Sequence, residues 1–229
     1  MMERRQVAVC CLVLYFATFF TLPSAAQITD RIRRPDNLMV VLRETVGTNK
    51  PAESLQPVGK LKVTLDGQER EFEPAWFFYL GDMSVRFVFD DTNTMPNLML
   101  EDLARLKLEP DQALQLAVAN IKRIYGQPRA KPWTQGLLEV VGESSDLNSS
   151  YFLDRAFWQD QLRQHPAGLV VGVPKRGGLV FAPVSDARTV STLRRGIAYL
   201  HSSSERQRVS SGLYLFKDDR WTVFQAPQP

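Results

Sequence analysis

Carboxylates, basic turns and a few hydroxyl–imidazole neighbours are the groups of this chain that could do chemistry. Asp82 sits in a turn after an apolar run, Asp90-Asp91 closes the next run, and Glu101-Asp102 follows soon after. Hard oxygen ligands clustered in this way could hold Ca²⁺ or Mg²⁺, or supply an acid and a base. The regular alternation and glycine of an EF-hand loop are missing, and Asp is also the ordinary residue of turns and helix starts. Ser202, Ser203 and Ser204 adjoin His201, but side chains adjacent in sequence seldom face each other, and no G-x-S-x-G turn occurs.

The basic groups are more suggestive. Lys175-Arg176-Gly177-Gly178 joins two cations to two glycines, a composition suited to a backbone cradle for an anion or phosphate. It is not a Walker loop, because the lysine precedes the glycines and no helix follows them directly. Read blandly, it is a hairpin turn with a soluble tip. Arg194-Arg195, with Arg206 and Arg208, concentrates positive charge around the last helical stretch. That pattern fits a solvated helix face or a patch for an acidic partner. Lys175, Arg176, Arg194 and Arg195 are therefore the candidate binding residues; Asp82, Asp90 and Asp91 belong to the metal reading alone.

The elements that must position these groups are legible in part. Leu38 to Leu42 is a buried-strand or short-helix run. Lys60 to Phe72 alternates around Asp66-Gly67, a strong hairpin signal because both residues tolerate positive φ. Trp76 to Leu80, Gly81-Asp82 and Val85 to Phe89 form a second hairpin. Pro110 opens a helix whose stripe is Leu114, Ala117, Val118, Ile121, Ile124 and Tyr125, with Gly126 as its stop.

Gln127 to Pro132 is basic and proline-bearing, the best candidate for a boundary between two halves, 27–126 and 133–229, with one continuous domain as the alternative. Leu137 to Val141 reads as a strand, Gly142 to Ser150 as a polar loop, and Tyr151 to Gln164 as a helix with Leu153, Phe157 and Leu162 inward. Leu169 to Val173 and Leu179 to Phe181 flank the basic turn. Asp186 caps a helix carrying Val190, Leu193, Ile197 and Leu200. His201 to Ser211 is a polar connection, and Leu213 to Phe224 a last hairpin. The sum is an α+β fold with mixed or antiparallel sheets, hairpins and three to four helices.

Residues 1–26 differ in kind. A short basic start, a charge-free run from Val7 to Leu22, and small residues at Ser24 and Ala26 make the three parts of a secretory signal, cleaved before Gln27. The run is shorter than the roughly 20 residues a membrane-spanning helix needs. Both cysteines, Cys10 and Cys11, fall in this segment, so the mature chain has none. Thiolate, iron–sulfur and zinc-finger chemistry are thereby excluded. The remainder carries 26 Lys and Arg against 24 Asp and Glu, too slight an excess for nucleic acid.

Ser84 to Asp90, Leu100-Glu101-Asp102-Leu103, Leu108-Glu109-Pro110 and the Ala117 to Ile121 helix together resemble the YtpQ-like bacterial family. Gly168 to Arg176, followed by Leu179-Val180-Phe181, is similar to a hairpin of that family, and the closing Leu213 to Trp221 hairpin also fits. The likeness covers roughly residues 85–224. The family has no known function, so the resemblance implies an α+β fold and assigns no catalytic residue.

These features lead to one expectation: a periplasmic or secreted, non-catalytic module that binds another protein of the cell envelope, such as an immunity or inhibitor protein. It would need no cofactor and keep no membrane span after cleavage. The alternative is a metal- or carboxylate-dependent hydrolase built on Asp82, Asp90 and Asp91.

Overall fold

Apolar alternation lays down the first sheet. In the computed structural model, which describes residues 33–228 except Asp66, Thr92 and Asn93, four strands pair in the order β1-β6-β5-β2. These are β1 (Leu38–Glu44), β2 (Gln56–Pro57), β5 (Trp76–Leu80) and β6 (Met83–Phe89). Residues 1–26, read above as a secretory signal, lie outside the described residues. β5 turns into β6 at Gly81, where φ is +58° and an added Cβ would lie 2.5 Å from the Tyr214 hydroxyl. Only glycine fits so close an approach. The short strands β3 (Leu61–Leu65) and β4 (Gln68–Phe72) form the separate hairpin that Asp66-Gly67 predicts.

Two helices follow, α1 (Leu100–Arg105) and α2 (Pro110–Tyr125). Proline stands in the first turn of α2, and Gly126 follows its last residue with φ +77°. The buried stripe Ala113, Ala117, Val118 and Ile121 packs toward β1. Asn120 interrupts the stripe and is also buried. Its Nδ2 donates to the carbonyls of Pro35 (2.8 Å) and Leu38 (2.9 Å), which offsets the cost of burying an amide.

The second sheet has six strands in the order β12-β11-β9-β10-β8-β7. They are β7 (Arg129–Pro132), β8 (Leu138–Val141), β9 (Leu169–Lys175), β10 (Gly178–Pro183), β11 (Leu213–Lys217) and β12 (Arg220–Gln225). Helix α3 (Arg155–Gln164) precedes β9, and α4 (Ala187–Ser202) follows β10. Asp186 caps α4, its Oδ1 accepting from the Thr189 N–H at 2.9 Å. Val190, Leu193 and Ile197 of α4 close a small core with Val170, Val180 and Leu213. The larger core is shared by both sheets and draws on residues from Leu38 to Trp221. At its centre Phe152 stacks on Trp221 at 4.0 Å, and Trp158 meets Trp221 and Phe181 edge-on at 5.2 and 5.5 Å.

The fold is α+β, with every strand pair antiparallel and four α-helices among the described residues. Four local expectations need correction. Arg129–Pro132 is not a linker but the edge strand β7, paired with β8, and the core runs on across it. Its charges and proline suit an edge that must discourage further pairing.

Gly142 to Ser150 is not a surface loop. Ser145–Leu153 winds as a 3-10 segment whose residues 147–153 are buried. Its short polar side chains satisfy backbone groups: Asn148 Oδ1 accepts from Gly142 N–H, and Ser150 Oγ donates to Val40 C=O. The helix expected from Tyr151 therefore begins only at Arg155. The connection after His201 is likewise partly interior, with Val209, Ser210 and Ser211 buried. No helix among the described residues is long and apolar enough to cross a membrane.

Candidate functional site

β6 separates the carboxylates that the metal reading brought together. Asp82 precedes its first residue and Asp90 follows its last, so the extended strand holds their backbones about 26 Å apart. Asp90 Oδ2 accepts from the Tyr125 hydroxyl at 2.8 Å, and the Asp91 N–H bonds to Thr94 C=O. Asp102 is buried, pairing with Arg105 (2.6 Å) and Arg33 (3.2 Å). Among the described residues no group of three His, Cys, Asp or Glu is placed to hold a metal ion. The Asp82/Asp90/Asp91 site is thus not assembled: the extended strand β6 puts Asp82 at one end and Asp90-Asp91 at the other.

Asp82 has a different setting, in which the Tyr214 hydroxyl donates to its Oδ1 at 3.1 Å and lies 2.6 Å from Ser210 Oγ. This buried network ties the β5–β6 turn to the second sheet. Burial pushes the Asp82 carboxyl above its ordinary 3.8, against the opposing hydrogen bonds from Ser210 and Tyr214. A raised folded-state pKa gives stability that is full below 3.8 and lost as pH rises through the folded value. Asp82→Asn is therefore expected to lose less stability than the wild type between about pH 4 and 7. Thermal melts of both proteins across that range measure it; parallel curves contradict it.

Neighbouring groups in this cleft, about 420 Å³, include Glu44 and His201, whose Oε1 and Nε2 lie 2.8 Å apart. The serines beside His201 do not face it. Ser202 donates to Tyr199 C=O, and Ser203 and Ser204 to Leu200 C=O, as hydroxyls in a last helical turn commonly do. A second cleft of about 580 Å³ lies between α2 and α3. Four of its charges pair with one another: Arg155 Nη2 donates to both Glu53 oxygens at 2.8 Å, and Lys122 meets Asp154 at 3.2 Å.

Charge is not matched at the third place, where the basic turn meets the first sheet. Arg86 on β6 pairs with Val41 and Arg43 with Ser84, so both arginines project from one sheet face. Arg176, in the β9–β10 turn, comes within electrostatic reach of Arg43. Burial, then the charges of Arg176 and Arg86, pull the Arg43 guanidinium down from 12.5 to about 10. Arg86 lies 4.0 Å over the Trp76 ring. The Nε atoms of Arg86 and Arg176 are buried without a hydrogen-bond partner. Among the described residues none of the three arginines makes an ion pair.

The four expected binding residues divide. Arg176 joins this cluster. Lys175 ends β9, bridging to Arg208, whose guanidinium caps α4 through the carbonyls of His201 and Ser202. Arg194 and Arg195 stand on the exposed face of α4, away from the turn. Arg43 and Arg86 were missed, although Arg86 is a lone charge inside the apolar run SVRFVF, a signal that finds it; Arg43 ends the run LMVVL beside Glu44 and carries no such signal.

No family model, curated protein or solved structure matches the chain.

Proposed function

We propose that the chain is an exported, non-catalytic module that binds an acidic protein of the cell envelope, in the manner of an immunity or inhibitor protein. The observation that carries this reading is the outer face of α4. Arg188, Arg194 and Arg195 are exposed there, and Tyr199 is 72% exposed between them and the helix end. Trp133, 42% exposed, lies just before Gly136, which abuts Thr189 of the first turn of α4. Arg, Tyr and Trp are the residue types that anchor protein interfaces. Their single sign of charge selects an acidic surface and speeds its encounter. The secretory pattern of residues 1–26 supports a partner outside the cytoplasm.

The test captures partners from an envelope extract on the tagged mature chain. One acidic protein should bind at low salt, elute as salt rises, and bind at least about tenfold more weakly to the Arg194→Glu/Arg195→Glu variant. Lys60→Glu, on the distant β3–β4 hairpin, should leave capture unchanged. Capture that ignores the double reversal, or that fails for the wild type at every ionic strength, overturns the reading.

A further inference from the structure

We infer that Arg43, Arg86 and Arg176 form a binding site for an oxyanion of the phosphate or carboxylate class. The site lies where β1, β6 and the β9–β10 turn converge, and it is distinct from the α4 face. Three half-buried guanidinium groups share this corner with no carboxylate to neutralise them among the described residues. Buried charge without a partner is unfavourable, so natural chains seldom retain such an arrangement for stability alone. A guanidinium presents planar N–H donors that match oxyanion geometry, and two unused Nε donors are already buried here.

The surroundings hold the site in shape. Trp76 fixes Arg86 by lying under its guanidinium at 4.0 Å. Arg43 Nη1 is anchored to Leu42 C=O at 2.7 Å, which restrains the head group beside the sheet. The Arg176 backbone is held on both sides, its N–H donating to Gln207 C=O and its C=O accepting from Ser149 N–H. An added Cβ at Gly177 would come within 2.9 Å of Ser145 C=O, so glycine lets the turn seat this closely. An arriving oxyanion would first meet the exposed part of these half-buried arginines, and a small shift of the side chains would then uncover the Nε donors to it. Trp76 and Phe78 are half-buried on the same sheet face and give the site an apolar wall.

Titration calorimetry on the purified mature chain, at constant ionic strength, tests the site. Inorganic phosphate should bind saturably with one-to-one stoichiometry. Losing one charge-assisted contact should weaken it about 10- to 100-fold in Arg43→Gln and in Arg176→Gln. Circular dichroism confirms that each variant folds, and Lys62→Gln, exposed on the β3–β4 hairpin, serves as the control that binds as the wild type does. Acetate distinguishes the source of the group: equal competition by acetate indicates a carboxylate ligand, and inert acetate a phosphoryl one. Absence of saturable binding by either anion, or wild-type affinity in both folded arginine variants, overturns the site. The measurement needs no protein partner, so its failure and that of the α4 reading are separable.

Discussion

Glu53→Ala is expected to destabilise the chain by about 3 kcal/mol, measured as the shift in urea midpoint at constant slope. One carboxylate here satisfies three separate elements. Arg155 of α3 donates to both of its oxygens at 2.8 Å, the buried Tyr79 hydroxyl of β5 donates to Oε2 at 3.0 Å, and the Trp221 N–H of β12 reaches Oε1 at 3.3 Å. Burial, then the adjacent Glu53 charge, raises the Tyr79 phenol, which therefore stays a donor. Burial alone would lower the Arg155 pKa, but its bonds to Glu53 and Asp219 outweigh that and raise it.

Removing the carboxylate leaves the buried Tyr79 hydroxyl without its acceptor and Arg155 with Asp219 as its one remaining ion-pair partner. The remaining guanidinium is 40% exposed and can partly hydrate, which keeps the cost below that of a fully buried broken pair. Glu53→Gln keeps acceptors for Tyr79 and Trp221 and should cost about half as much. Lys60→Ala, which removes an exposed pair with Glu71, should change stability by less than about 0.5 kcal/mol. A Glu53→Ala loss no larger than that of Lys60→Ala would show that the clasp contributes little.

Arg43→Gln is expected to act in the opposite direction. In chloride buffer it should stabilise the chain by about 1 kcal/mol, because it removes a desolvated cation crowded by two others. Ordinary substitutions at half-buried strand positions destabilise instead. Phosphate should raise the melting temperature of the wild type by binding its folded state, and the variant should show no such rise. A variant that is less stable than the wild type in chloride, yet still stabilised by phosphate, contradicts the charge-crowding account.

The sequence made the regular elements legible because their signals are local. Asp66-Gly67, Pro110 with Gly126, and Asp186 each specify a turn or a helix end from a few residues, and the hairpins and helices they predict are present. The segment 142–153 escaped because its polarity reads as exposure, whereas Asn148, Ser149 and Ser150 are buried, with Asn148 accepting from the nearby Gly142 N–H and Ser150 donating to the distant Val40 C=O. The candidate site escaped for a related reason. Arg176 was visible as part of a basic turn, but its partners lie more than eighty residues away on β1 and β6. Nothing local joins them. The acidic cluster failed in the converse way: Asp82 and Asp90 are near in sequence, and an intervening strand keeps them apart.

The Nε donors of Arg86 and Arg176 are the atoms that lack a partner within the chain and that an anion from outside would engage. Nitrogen-15 spectra of the arginine Nε–H groups, recorded as inorganic phosphate is added, address those atoms directly. Saturable shifts of the Arg86 and Arg176 signals, abolished by Arg43→Gln, are the predicted result. Shifts confined to exposed arginines such as Arg194 and Arg195, with Arg86 and Arg176 unmoved, would contradict it.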